Sequence, residues 1–594
     1  MPYTPPNFSN APTAYMRANG LLEKKPIYYV SFGLVTGPLG TNSQALPDEY
    51  TTGPIKNATK SRKIIMSTPH GYASEFDPIV YTSTLGEARF DLNNKDGEGT
   101  KLVTNYILKN RYVTIYRGFD FLDESDYIVI YKGQINNVVR SNDGTYYTFI
   151  ISDPKKQLVN TILDGHTSLS QDYTVGDSVI YVNPVNGFAA ATIQGQGTDW
   201  RNWLRIGDNL YQYSSVSTGG LIQDGQLLLQ FVRYGPPDVN AVPWVAQWLP
   251  TTPYINNQLI SNLNFIYRVT NGPGQSGTGG GPTGFGTGSL LFSGVAIDWP
   301  ENIGNPGDQN YHIGDSVDNF VQFSGHPIDL ILKILMTTSG SPGPNHAPTG
   351  TNYDVFPKGQ GIGVPWYQIA ISNFEKQKTL MGAMTFHGYF QDSTQALKFI
   401  EDNILQQAHI MVFMNREGLI DCKAIFDTID TTGAITLDET NVIGQPMFDN
   451  NLPTGNQFLN SIWVNYNYKP ITDYYSKTEW EIESDSQTDY REEYPLKVDS
   501  KFINSSYGGD ALAQKCIDTF AARFKRPPPK ITCMTFDAVH LLDPGSIVIL
   551  DHPNVPNYMT GKDGGPISCQ VINVEPDFPT GQVRVILLAI GWYG

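Results

Sequence analysis

Strand-like alternation of apolar and polar positions dominates the chain. Tyr112–Tyr116 (YVTIY) alternates hydroxyl-bearing and aliphatic side chains, Tyr127–Tyr131 (YIVIY) sets a β-branched run between aromatics, and Tyr146–Ile151 (YYTFII) follows the turn pair Asp143-Gly144. These segments predict a meander. Asp153-Pro154 then offers a capping acid and a first-turn proline, so Lys155–Leu163 is expected as a short closing helix. From about Tyr173 the texture changes. Val175–Val182 and Arg205–Tyr213 each carry a Gly-Asp turn that launches a strand, and Gln226–Gly235 follows, which together predict a small β-barrel inserted between larger units. Gly272–Gly288 is too poor in side chains to build a core and reads as a loop.

Helical periodicity occurs in three places. Pro327 opens Ile328–Thr338, with Ile328, Ile331, Leu332 and Leu335 on one face. Thr394–Ala408 carries a stripe of Leu397, Ile400, Ile404, Leu405 and Ala408. Gly508–Arg526 carries Leu512, Cys516, Phe520 and Phe524, and Pro527-Pro528-Pro529 stops it because proline lacks the donor and clashes with the preceding turn. A hairpin is expected from His409–Phe413, the turn Asn415–Gly418 and Leu419–Phe426, and strands resume at 546–550, 569–574 and 582–590. The expected class is α+β, predominantly antiparallel β and multi-domain, with a few helices covering or linking the sheets.

Composition narrows the function. The 594 residues suffice for about four domains. Charged residues are only 16%, against roughly 25% in an average soluble protein. Aromatics at 12%, led by 34 Tyr, favour pleated, half-buried surfaces. A net charge of −17 repels nucleic acid unless a basic patch overrides it, and the densest basic run, Arg523–Arg526, falls at a helix end. No apolar stretch approaches the roughly 18 residues of a membrane span, and the opening residues lack a signal-peptide layout. Cys422, Cys516, Cys533 and Cys569 are far apart and read as buried free thiols.

Catalytic strings are missing: there is no H-E-x-x-H, G-x-S-x-G or G-x-x-x-x-G-K-[ST]. Lys358–Gly363 is glycine-rich but runs into Val-Pro where a phosphate cradle needs a helix, and Asn93–Gly99 puts Leu92 where a calcium loop needs its first acid, so it reads as a turn. His326, Asp329, His346 and Asp354 crowd one region, yet His326-Pro-x-Asp329 has the composition of a helix start. The acidic pairs Asp123-Glu124 and Glu492-Glu493 suit a glycosidase only if two carboxylates flank one bond. Trp200, Trp203, Trp244 and Trp248 are candidate sugar-stacking or protein-interface residues, interface being favoured. No catalytic residue, cofactor or metal site is assigned.

One linear pattern goes further. Thr84–Phe119, Asp126–Leu158, Val175–Val182 with Arg205–Tyr213, Gly325–Gly340, Tyr353–Pro365 and Ala511–Pro553, the last with its "Leu-x-Pro-Gly-Ser-x-Val" strand entry, resemble the central tail-tip or baseplate hub proteins of tailed bacteriophages and gene transfer agents. The loop 272–288 and the segment 470–500 have no counterpart in that pattern. The resemblance implies a structural virion protein at the tail tip, assembled in the host cytoplasm, without enzymatic activity. It implies a homotrimeric ring with two tube-type β-barrels per chain, through which DNA passes unbound. Implied partners are the distal tail or tube protein, the tape-measure protein and a tip or fibre protein. The corresponding domains are 1–165 (first barrel with N-terminal arm), 166–250 (inserted small barrel), 251–407 (Gly-rich loop and helical linker) and 408–594 (second barrel), the two larger barrels sharing a topology. A virion-attached or secreted glycan-binding protein or glycosidase is the alternative. An extracellular β-sandwich adhesin fits the scattered cysteines poorly.

Overall fold

The computed structural model describes residues 25–36, 49–60, 62–153, 361–390, 394–426, 431–448, 458–469, 474–536, 541–557 and 562–590, together with short stretches between 158 and 336. The architecture is mostly antiparallel β, with few helices.

The first sheet is built from β1 (Pro26–Thr36), β2 (Glu49–Thr51), β3 (Arg62–Ile64), β6 (Ala88–Asn93), β7 (Tyr106–Phe119), β8 (Ile128–Arg140) and β9 (Tyr146–Ser152), while β4 (Ser74–Phe76) and β5 (Ser83–Leu85) leave it as a hairpin. Its order is β3-β2-β1-β7-β8-β9-β6. The expected meander is β7-β8-β9. Residues following β3 bond along β6, through Asn93 N–H to Ile65, Ser67 N–H to Asp91 and a reciprocal His70–Arg89 pair, so the sheet curls until its two edges meet. Alternation along the strands turns Val113, Ile115, Phe90, Phe149 and Ile151 inward, all fully buried. Asn93–Gly99, read above as a turn, does turn at Asn94–Gly97, then continues into helix α1 (Glu98–Asn105). Glu98 sits in its first turn and pairs with Lys63 at 2.6 Å and Lys101 at 2.8 Å, where an acid favours the helix dipole.

The second sheet contains β10 (His166–Leu169), β11 (Val179–Asn183), β12 (Arg201–Ile206), β13 (Asn209–Thr218), β14 (Gly225–Arg233), β15 (Ser316–Gly325) and, further along the chain, Phe386–Phe390. Pairing runs β10-β11-β14-β13-β12-β15, and β15 also pairs with β10, so these six strands form a closed cycle. The helix expected over Lys155–Leu163 is corrected at its end: Thr161–Ile162 is a strand paired with Thr394–Gln395, while 154–157 lie outside the described residues. A β-branched pair with a distant partner outweighs the local proline signal.

Helix α2 (Pro327–Met336), α3 (Ile371–Met381) and the helix that begins at Ala396–Ile400, passes through a π turn at Glu401–Leu405 and ends at Gln406–Ala408 form the central core with the hairpin of β16 (Ile410–Met414) and β17 (Ile420–Ala424). The single apolar face expected for α2 understates it. Leu330 and Ile334 are as fully buried as Ile328, Ile331, Leu332 and Leu335, while Asp329 and Lys333, one turn apart, stay part-exposed, because a helix with so wide an apolar surface must be enclosed on most of its sides.

The third sheet holds β18 (Ile435–Asp438), β19 (Met447–Phe448), β23 (Lys530–Phe536), β24 (Ile547–Asp551), β25 (Ile567–Asp577) and β26 (Gln582–Ala589), in the order β18-β24-β25-β26-β23-β19. A smaller sheet, β20 (Ser461–Lys469), β21 (Tyr474–Ile482) and β22 (Pro495–Asp499), is backed by α4 (Gly509–Phe524), which ends at the expected prolines.

The first and third sheets share a winding. In each, one strand (β6; β23) is followed by three that run in antiparallel order (β7-β8-β9; β24-β25-β26), and the last returns to pair with the first. The correspondence extends to single residues. β8 bulges between Ile135, opposite Ile151, and Asn137, opposite Ile150; β25 bulges between Val571, opposite Leu587, and Asn573, opposite Ile586. The sequences there are Gln134-Ile-Asn-Asn-Val138 and Gln570-Val-Ile-Asn-Val574, with the second Asn of one matching the Asn of the other. A bulge adds one unpaired residue and sharpens the local twist, which helps a sheet to curl.

Candidate functional site

Of the residues raised above as possible catalytic or metal groups, His326, Asp329, Asp123, Glu124 and Glu492 are engaged in hydrogen bonds and ion pairs within the fold. His326 accepts the Ile328 N–H at Nδ1 (3.2 Å), and Asp329 pairs with Lys378 at 2.7 Å. His346 and Asp354 lie outside the described residues, as do Trp200, Trp244 and Trp248. Trp203 sits in β12, opposite Gln212 on one side and Phe320 on the other. Asp123 pairs with Lys56, while Glu124 shares Arg62 with Glu49, each at 2.5 Å, and the guanidinium lies 4.1 Å from the Tyr29 ring centre. Burial alone would raise the Glu124 carboxyl, but hydrogen bonds from Arg62 and from the Thr59 N–H and hydroxyl outweigh it and hold it at about 2. Glu124 is therefore a fixed anion that fastens the loop after β2 to the sheet. Glu492 accepts the Tyr494 hydroxyl at the surface. All four cysteines are buried free thiols, and burial pushes Cys516 and Cys533 up to about 12, too high to form a thiolate nucleophile. Among the described residues no group of three or more His, Cys, Asp or Glu can hold a metal, and no helix is long and apolar enough to cross a membrane.

The structure instead draws attention to a junction that the sequence pattern did not mark. The β4–β5 hairpin leaves the first sheet and pairs with β25 of the third, Ser74 opposite Val574 and Glu75 opposite Asn573. Phe76, Ile79 and Tyr81 at its tip enter the central core beside Phe520 of α4. Ser83 donates to the Val412 carbonyl at 2.8 Å. Below the hairpin, Phe578 of the third unit packs on Tyr28 and Tyr72 and lies 5.5 Å from the buried Arg117 guanidinium.

At the centre of this junction Tyr81 and His409 meet. Both have left-handed backbone, φ 61° and 52°, which costs a non-glycine residue about 1–2 kcal/mol and persists only where packing enforces it. The Tyr81 hydroxyl is 2.8 Å from His409 Nδ1. Burial raises the Tyr81 phenol far above its ordinary value, so the tyrosine keeps its proton and the hydroxyl and the imidazole share one hydrogen bond. Burial, reinforced by the Arg523 and Lys515 charges, pushes His409 down to about 3, so the ring is neutral. Arg523, on the same helix as Phe520, donates to the Gln570 side chain of β25 and to the Phe426 carbonyl. The cavity beside His409 has room for about one water, about 20 Å³, and no substrate fits there. The junction is a fastening between sheets.

Because His409 titrates below its ordinary 6.5, its neutral form contributes stability that is complete above that value and is lost as pH falls toward about 3. Melting temperature is expected to fall between about pH 7 and about pH 4, more steeply than in a His409→Asn variant, whose amide tolerates the left-handed backbone and does not titrate. Equal slopes for the two proteins would remove His409 from this account.

Comparison with known proteins gives no matching family model and no matching curated protein. Among solved structures, the chain is similar to the 43 kDa tail protein of prophage MuSo2 from Shewanella oneidensis, with TM-score 0.34 and 7% identity over 96% of this chain and 98% of that one. It is also similar to a tail protein from Neisseria meningitidis, with TM-score 0.31 and 8% identity over 88% and 92% of the two chains. A chain of a native gene transfer agent virion gives TM-score 0.18 and 12% identity over 37% of this chain and 78% of that one.

Proposed function

We propose that this chain is a structural tail protein of a phage-like particle and serves as its hub, a ring that continues the tail tube and passes DNA without binding it. The observation that carries the reading is the shared winding of the first and third sheets, down to the bulge at Ile135–Asn137 and Val571–Asn573. A chain with two equivalent curled sheets presents two copies of one lateral surface, so three chains can occupy six positions around an axis. The β4–β5 hairpin supports it by holding the two sheets to each other. A closed ring lets each subunit reuse one interface and leaves no unmatched edge. Charge supports it as well. An open depression of about 720 Å³ at one end of the third sheet is lined by Asp438, Glu439, Asp551 and Asp563 against Lys562, and such a rim repels phosphate. Tube, tape-measure and tip or fibre proteins are the partners this role requires, with Trp200, Trp203, Trp244 and Trp248 proposed as interface residues.

Light scattering of the purified chain, alone and with its tube protein, is expected to give a trimeric mass. A chain that stays monomeric within intact particles would exclude the ring. A trimer with a basic bore would retain the ring and remove the electrostatic account of DNA passage.

A further inference from the structure

The small sheet of β20, β21 and β22 lies in the segment 470–500 and its immediate neighbour, which the tail-hub resemblance leaves without a counterpart. The order is β21-β20-β22, so β21 is an edge, and among the described residues no strand pairs with its outer side. Proteins shield such edges with bulges, prolines, charged side chains or a covering element because the unpaired N–H and C=O groups recruit another strand. β21 (YYSKTEWEI) has none of the first two, and its nine residues pair in unbroken register with β20 apart from the left-handed Asn467.

The two faces of β21 differ sharply. On one, Thr478, Trp480 and Ile482 point away from α4; Trp480 is 53% exposed and stacks on Trp463 of β20 with ring centres 5.6 Å apart. On the other, Glu479 and Glu481 point toward α4, whose exposed Asp510, Gln514 and Asp518 follow one another at intervals of one helical turn. Gln514 reaches Glu481 at 3.5 Å and Lys477 pairs with Asp510 at 3.1 Å, which fixes α4 alongside the strand. Beyond the edge, the space between β21 and α4 is therefore an acidic trough bordered by Glu479, Glu481, Glu483 and Asp518, with Lys477 at one end and Lys525, 3.9 Å from Glu483, at the other. The carboxyl of Glu481 is raised first by burial and then by the neighbouring Glu483 and Asp518, which the Gln514 hydrogen bond and the Lys525 charge offset only in part.

We infer that β21 accepts an extended segment of another protein as an added strand, one whose side chains alternate between basic and apolar. Strand period two puts every second side chain of the incoming segment over the trough and the others beside Trp480 and Ile482. Main-chain hydrogen bonds supply affinity, and the alternating side chains supply specificity. A second copy of this chain is disfavoured as the occupant. Antiparallel pairing of β21 with itself about Glu481 would set Glu479, Glu481 and Glu483 against the same acids, and pairing about Glu479 would still set that acid against itself, in a chain that already carries −17.

The test uses the full chain and a fluorescein-labelled peptide of alternating lysine and valine, matched to the nine residues of β21, read by fluorescence anisotropy. Saturable binding is expected, weakened about tenfold or more by Glu479→Lys with Glu481→Lys and likewise by Trp480→Ala. A peptide of the same sequence N-methylated at every second residue, in either phase, is expected to lose binding to the unaltered chain in the phase that faces β21. Equal binding of both methylated peptides would reduce the effect to charge attraction and overturn the inference. Unchanged affinity in the Trp480→Ala protein, absence of binding, or a chain that self-associates through β21 with loss of mass in Trp480→Ala would overturn it too. Retention on immobilised oligosaccharide that depends on Trp480, without peptide binding, would assign the face to a sugar instead.

Discussion

Replacing Tyr81 by alanine is expected to cost about 3–5 kcal/mol and to loosen the first sheet from the third. The ring is fully buried, packed edge-on against Phe76, His409 and Phe520, and its truncation leaves a cavity at the tip of the β4–β5 hairpin. His409 Nδ1 loses its hydrogen-bond partner at the same time. Tyr81→Phe isolates that second effect and is expected to cost about 1–3 kcal/mol, since the apolar body stays while one buried ring nitrogen goes unsatisfied. The readout is amide hydrogen exchange in residues 74–85 together with calorimetry, because a multi-domain chain does not unfold as one two-state unit. Faster exchange confined to the hairpin, at little calorimetric cost, would mean that the hairpin docks on the core without holding it.

Gly509→Ala is expected to lower the first unfolding transition by about 3 kcal/mol, the upper end of overpacking costs. The start of α4 folds tightly over Asn504, whose carbonyl accepts the N–H of both Tyr507 and Gly509. A methyl group at Gly509 would fall inside the Asn504 backbone, and main chain on both sides cannot step aside as a side chain can. Gly388→Ala meets the Lys501 carbonyl in the same manner and should behave alike. The neighbouring Gly508 is the control. It needs φ 79° but faces open space, so Gly508→Asn, which tolerates that conformation, is expected to cost about 1 kcal/mol or less. Comparable losses at Gly508 and Gly509 would point to helix propensity, and the close approach would not be the cause.

Elements whose signals are local were legible in the amino-acid order. Alternation marked β7, β8, β9 and the terminal strands, periodicity marked the helix ending at Ala408 and α4, three prolines set the end of α4, and Asn415–Gly418 set the β16–β17 turn. It also placed the four cysteines inside and gave His326 and Asp329 to a helix start. These follow from period, capping and turn chemistry, which act over a few residues. The tertiary structure alone decided what depends on partners far along the chain. Thr161–Ile162 became a strand because Thr394–Gln395 lay beside it, and Ser74–Leu85, short and bearing Pro78, gave no strand signal until β25 supplied an edge. The repeat of the first sheet in the third was invisible as sequence identity, since Gln134–Val138 and Gln570–Val574 share a bulge through hydrogen-bond register and only a few side chains. The Tyr81–His409 contact spans 328 residues and needs two left-handed residues, which no local propensity favours. Its stability comes from enclosure by side chains from several elements, and only the packed core brings those together.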